Sequence, residues 1–143
     1  MSLFNVFDVA GTALNAQSIR LNTTASNLAN AESLSGDPTK VYRARHPVFQ
    51  ALMRYDDEIG PPEEEAAAVG VKVLGVVESQ SPAQMLYQPG HPLANKDGYV
   101  YSSNVNSIEE MTNMISASRS FQTNIDAMNT ARDLLLKTIA MGR

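Results

Sequence analysis

The chain has no cysteine, no tryptophan and only two histidines, and aromatic residues make up just 6% of it. Without cysteine there can be no disulfide framework, no thiolate nucleophile and none of the usual structural zinc sites. The scarcity of aromatics, a formal charge of -4 and a pI near 5.1 remove the stacking platforms and the basic face that nucleic acid or anionic lipid would need. Long apolar runs are missing too. The longest stretch free of formal charge, Ser79 to Asn95, contains Pro82, Pro89 and Pro92 and cannot be read as a membrane-spanning helix. Met1 to Phe7 carries no base and is followed at once by Asp8, so no cleaved leader is expected. Neither nucleic acid nor membrane insertion is expected.

What remains is a chain of 143 residues with 43% apolar content, enough for one ordinary domain or a small domain with appendages. In its first third Phe7, Leu14, Leu21 and Leu28 recur every seven residues, with Leu3, Ala10, Gln17, Thr24 and Ala31 as the second row. This heptad pattern predicts a helix over 5–31, ended by the cluster Ser35, Gly36, Asp37 and Pro38. The pattern returns at Met114, Phe121, Met128 and Leu135, flanked by Met111, Ser118, Ile125, Arg132 and Ile139. Ser107 with Glu110 three residues on resembles a capping box, and Gly142 stands where a left-handed cap would fall.

Between the helical ends the period changes. Val69 to Glu78 is a β-branched run of strand length, with weaker strand candidates at Val41 to Phe49 and Gly98 to Tyr101. Asp97-Gly98 ahead of Tyr99 resembles a hairpin turn. Asp56, Asp57, Glu58, Glu63, Glu64 and Glu65 place six acids in ten residues without a base, and a chain lacking them would carry +2 instead of -4. That segment reads as an exposed loop. The expected fold is α+β: two long terminal helices packed as an antiparallel coiled-coil-like pair, with a small, mostly β middle. The expected divisions are 1–34 for the N-terminal helix, 35–104 for the middle with its acidic loop at 56–65, and 105–143 for the C-terminal helix.

The seams are impure, since Gln17, Thr24, Ser118 and Arg132 occupy seam positions. Ile19, Ile108, Ile115, Leu134 and Leu136 lie off the main seam and need neighbours on another face, which points to assembly. The candidate contacts for the helix pair and for assembly are Phe7, Leu14, Leu21, Leu28, Met111, Met114, Phe121, Ile125, Met128, Leu135 and Ile139. A catalytic constellation is not expected. His46 and His91 each sit beside proline without metal-ligand spacing, Glu109 and Glu110 point apart on a helix, and no phosphate loop or nucleophile elbow occurs. No cofactor and no metal are expected.

Ser2-Leu3-Phe4-Asn5 and the run Leu21 to Ala31, with Ala25-Ser26-Asn27-Leu28-Ala29-Asn30, resemble the amino-terminal signature of flagellar rod, hook and related axial proteins. Pro89-Gly90-His91-Pro92, Asp97 to Val100, Asn104-Val105-Asn106, Glu109 to Met111 and Met114 to Gln122 resemble the proximal rod members of that family. Ser103 departs from the pattern, where proline would be expected. The resemblance implies export through the flagellar type III apparatus without leader cleavage and assembly into the rod of the basal body in the periplasm. It also implies contacts with other rod proteins, copies of itself and the base, and paired terminal helices lining a hollow tube that carries torque for motility. The alternatives are a periplasmic cell-wall hydrolase and a helical adaptor that does not polymerise.

Overall fold

A computed structural model describes residues 3–54 and 67–142; the acidic segment expected at 56–65 lies outside the described residues. The first helix, α1, runs Leu3–Ala29, and the last, α2, runs Ser107–Met141. At 1.5 Å per residue they are about 40 Å and about 52 Å long. Between them lie β1 (Leu34–Ser35), β2 (Arg45–Arg54), β3 (Ala67–Glu78), β4 (Gln84–Tyr87) and β5 (Tyr99–Ser102). The fold is α+β, two terminal helices packed together with a small β middle.

The chain divides into two compact units, and both helices contribute to each. One unit combines α1 up to Ile19, the β2 and β3 residues 48–54 and 67–75, and α2 from Ala117. The other combines Arg20–Pro47 with Val76–Ser116. The early part of one helix thus shares a unit with the late part of the other, so the helices run antiparallel.

In the unit built from Arg20–Pro47 and Val76–Ser116, β5 is the central strand of a three-stranded antiparallel sheet in the order β1-β5-β4. Leu34 pairs with Ser102, and Leu86 and Tyr87 pair with Val100 and Tyr99. Val100 is fully buried and anchors the core with Val41, Ala44 and Val105. Ser103 extends the sheet, because its amide donates to Ser33 O at 3.2 Å. A proline there would lack that donor. The loop 88–98 joins β4 to β5, so Asp97-Gly98 closes a long connection and not a two-residue hairpin. Gly98 has φ +81°, and a Cβ there would lie 3.0 Å from the Tyr87 ring. The Pro89-to-Pro92 motif belongs to the same loop, where Leu93 N–H donates to His91 Nδ1 at 3.1 Å and makes His91 part of a turn.

β2 and β3 form a separate two-stranded sheet. Ser79 N–H donates to Ala44 O at 2.7 Å, so the start of β2 lies beside the end of β3 and the pair is antiparallel. In the other unit, Val71 N–H donates to Thr12 Oγ1 at 3.1 Å, which tethers β3 to α1. Residue 70 must be glycine for that approach, since a Cβ would fall 2.8 Å from the same oxygen.

The helix ends differ from expectation. Asn106, not Ser107, caps α2: its Oδ1 accepts from Ile108 N–H at 3.1 Å and from Glu109 N–H at 3.4 Å. Glu109, three residues beyond the cap, is therefore the acid of the first turn that faces solvent. At the far end Gly142 does not adopt a left-handed conformation. Its amide donates to Ile139 O at 3.3 Å, a tightened last turn.

Candidate assembly interface

On α1 the seven-residue rows form a buried-to-half-buried stripe. Phe7, Leu14, Leu21 and Leu28 are half-buried, and their companions Ala10 and Thr24 are buried. Thr24 tolerates burial because its hydroxyl donates back to Arg20 O at 2.8 Å. A second row, Ala16, Thr23 and Asn27, is buried as well, so α1 is covered on more than one side. Side-chain contact between the helices includes Arg20, whose guanidinium donates to Asn113 Oδ1 at 3.1 Å.

On α2 the row Met114, Phe121, Met128 and Leu135 is half-buried. Its companion row within the single chain is Glu110, Ala117, Asn124 and Ala131, one residue before the row the sequence suggested. Ala117 and Ala131 are buried there without offering hydrophobic bulk, a signal that a search for large aliphatics passes over. Met111, Ile125 and Ile139 are exposed and take no part in the pairing within one chain.

Those three residues belong to a different stripe. Ile108, Met111, Ile115, Ser118, Gln122, Ile125, Asn129, Arg132, Leu136 and Ile139 alternate at spacings of three and four, about a quarter turn round from the seam. All six apolar members are exposed, Ile108 at 78%, Ile139 at 61% and Ile115 at 55%. The row lies on a helix whose neighbouring face is the half-buried one. On α1 the equivalent positions are small or polar: Asp8, Gly11, Asn15, Ser18, Asn22, Ala25 and Ala29. The two helices therefore offer unlike outer faces.

A polar clamp holds the end of α1 to the sheet region. Asn27 is 0% exposed. Its Nδ2 donates to Arg45 O at 2.8 Å, and its Oδ1 accepts from Arg45 N–H and from the Tyr42 hydroxyl, both at 2.9 Å. One side chain thus pairs with a strand residue as a neighbouring strand would. At the entry to α2, Asn104 bridges the segments that flank β2 and β3, accepting from Ala44 N–H at 2.7 Å and donating to Ser81 O at 2.9 Å. Burial pushes the Tyr42 phenol above its usual value, with the Glu110 and Glu78 carboxylates adding to the rise and the Arg45 charge opposing it. Arg45 also lies 5.6 Å over the Tyr42 ring and pairs with Glu78 at 2.9 Å. Reasoning from periodicity missed both asparagines, although they stand in the two stretches that carried the family resemblance.

Glu109 faces solvent at the cap, whereas Glu110 is buried with Oε2 lacking a hydrogen-bond partner. Among the described residues no three His, Asp or Glu side chains gather as a metal site, and no helix is long and apolar enough to cross a membrane.

Two family models match the chain, one described as flagella basal body rod protein over residues 7–32, the other as flagellar basal body rod FlgEFG protein C-terminal over residues 96–141. Relatives named flagellar basal-body rod protein FlgC align over their full length. The Salmonella typhimurium protein is 48% identical and that of Yersinia enterocolitica 46%, each with 100% of both chains covered. The protein of Buchnera aphidicola subsp. Baizongia pistaciae is 36% identical, again with 100% of both covered. The chain belongs to the FlgC family of flagellar basal-body rod proteins. It is a structural rod subunit of the flagellar basal body. The N-terminal match covers α1 from Phe7 onward, with Asn27, and the C-terminal match spans β5, Asn104 and the exposed stripe of α2.

Proposed function

We propose that this FlgC-family subunit is exported through the flagellar type III apparatus. It then packs with copies of itself and other rod proteins, above the basal-body base, into the hollow periplasmic shaft that carries motor torque. The relatives' names favour a structural subunit over a cell-wall hydrolase or an isolated adaptor. The observation that carries the reading is the exposed apolar row of α2, which the described residues leave uncovered. Torque passes between subunits only if neighbouring helices cannot slip, and interdigitated side chains resist slip. The row Ile108, Met111, Ile115, Ile125, Leu136 and Ile139 contacts adjacent subunits, while Phe7, Leu14, Leu21, Leu28, Met114, Phe121, Met128 and Leu135 hold each pair together.

Two kinds of variant separate these roles. Ile115→Glu with Leu136→Glu should change the stability of the isolated chain by less than about 0.5 kcal/mol, as exposed substitutions do, yet abolish rods and swimming. Leu21→Asp or Phe121→Asp should cost the chain itself several kcal/mol, on the order of 3, by placing a charge in the seam. Normal swimming with the first pair would overturn the assembly role of the α2 row.

A further inference from the structure

We infer that a polar groove in the unit built from Arg20–Pro47 and Val76–Ser116 binds an acidic, extended peptide segment of a partner protein. The segment pairs with the free edge of β1 and sets its carboxylates against Lys40 and Arg43. The groove encloses about 690 Å³ beside the turn that follows α1, and β1 contributes Leu34 to its wall. Its charged residues are Lys40, Arg43, Arg45 and Glu78, three bases against one acid. Glu78 is taken by Arg45, whose Nε and Nη2 donate to one carboxylate oxygen at 3.1 and 2.9 Å. Asp37, the acid near Lys40, already accepts from the amide and hydroxyl of Thr39 at 2.9 and 2.7 Å. Among the described residues Lys40 and Arg43 form no ion pair, so the groove keeps their positive charge for a ligand.

The charge selects an anion, and the backbone selects a peptide. Ser33 O accepts from Ser103 N–H at 3.2 Å, which makes that pair a hydrogen-bonded position at the end of the β1–β5 ladder. In an antiparallel ladder such positions alternate with ones where facing residues turn their N–H and C=O away from each other. Leu34 opposite Ser102 is the next pair along. The N–H and C=O of Leu34 therefore point away from β5. Because β1 is an edge of the sheet ordered β1-β5-β4, no strand of that sheet meets them. An extended segment laid along this edge gains two main-chain hydrogen bonds at Leu34, as a strand does when it is added to a sheet. Its alternate side chains share one face, so acids at every second residue form the row of carboxylates that suits two bases in one wall. A sugar chain or a free anion makes no use of the strand edge.

The probe is a fluorescent, end-capped peptide of alternating glutamate and threonine, about six residues long, titrated into the full chain. Saturable binding is expected, weakened about tenfold by Lys40→Gln with Arg43→Gln, the loss that two exposed ion pairs can account for. Raising salt from roughly 0.05 to 0.5 M should weaken it further. At saturation the Leu34 amide should exchange with solvent at least about tenfold more slowly, a readout that needs no variant. No saturable binding, binding indifferent to K40Q with R43Q, or equal binding of the peptide with glutamine for glutamate overturns the proposal. An acidic oligosaccharide that binds as tightly, or peptide binding that leaves Leu34 unprotected, overturns the strand-edge contact. Binding that emerges only once Asp56, Asp57, Glu58, Glu63, Glu64 and Glu65 are replaced by Asn and Gln overturns the assignment to a partner. The α2 row takes no part in this contact, so failure of peptide binding in a chain that still builds rods sinks the groove alone.

Discussion

The side chain on which the end of α1 depends is Asn27. Its three hydrogen bonds are made where water cannot replace them, so removing a partner costs more than the bonds themselves contribute. Asn27→Asp turns a donor toward Arg45 O into a second acceptor and buries a charge. It should lower stability by about 3 kcal/mol in urea unfolding followed by circular dichroism. Tyr42→Phe deletes one hydrogen bond while Arg45 N–H still serves the asparagine oxygen, so about 1 kcal/mol is expected. The pH dependence follows from the same contact. The folded-state value of Tyr42 is raised above 10.0, so the neutral donor is favoured by folding. Its contribution is complete below pH 10 and is lost as pH rises through the folded value. Absorbance at 295 nm should show a late-ionising step that is absent in the Tyr42→Phe chain.

At the level of helices and strands, local chemistry decides boundaries. Asn106→Ala should cost about 1 kcal/mol by freeing the amides of Ile108 and Glu109, whereas Ser107→Ala should cost little. Gly98→Ala combines a left-handed backbone with a close approach to Tyr87 and Pro89, and should cost more than about 1 kcal/mol in thermal unfolding. Both helices were legible because seven-residue spacing survives over many turns, and β3 because its valines alternate. β1 and β4 were not legible. β1 has two residues, and the four residues of β4 are all exposed, so neither carries a burial pattern of its own; β5 supplies their partners. The capping error at Ser107 has a similar cause, since serine and asparagine both suit a cap and only the direction of a side chain tells them apart.

For the molecule as a whole, periodicity located one row of the α2 seam and displaced its companion by a residue, because alanines 117 and 131 offer no hydrophobic bulk to notice. The same reading placed Met111, Ile125 and Ile139 beside the seam, where they form part of the outer row. Hydrogen exchange should register the difference between the two helices: in the isolated chain the last turns of α2, from Leu136 onward, should exchange faster than the second half of α1, which is covered on two sides. The β2–β3 ribbon has a further consequence. A two-stranded ribbon is all edge, and this one carries Phe49, Leu52, Met53, Leu74, Val76 and Val77 at its surface. Strand margins of that composition, where nothing pairs with them, template stacking into fibres. The ribbon therefore limits how long, and at what concentration, a free subunit can wait before it is built in.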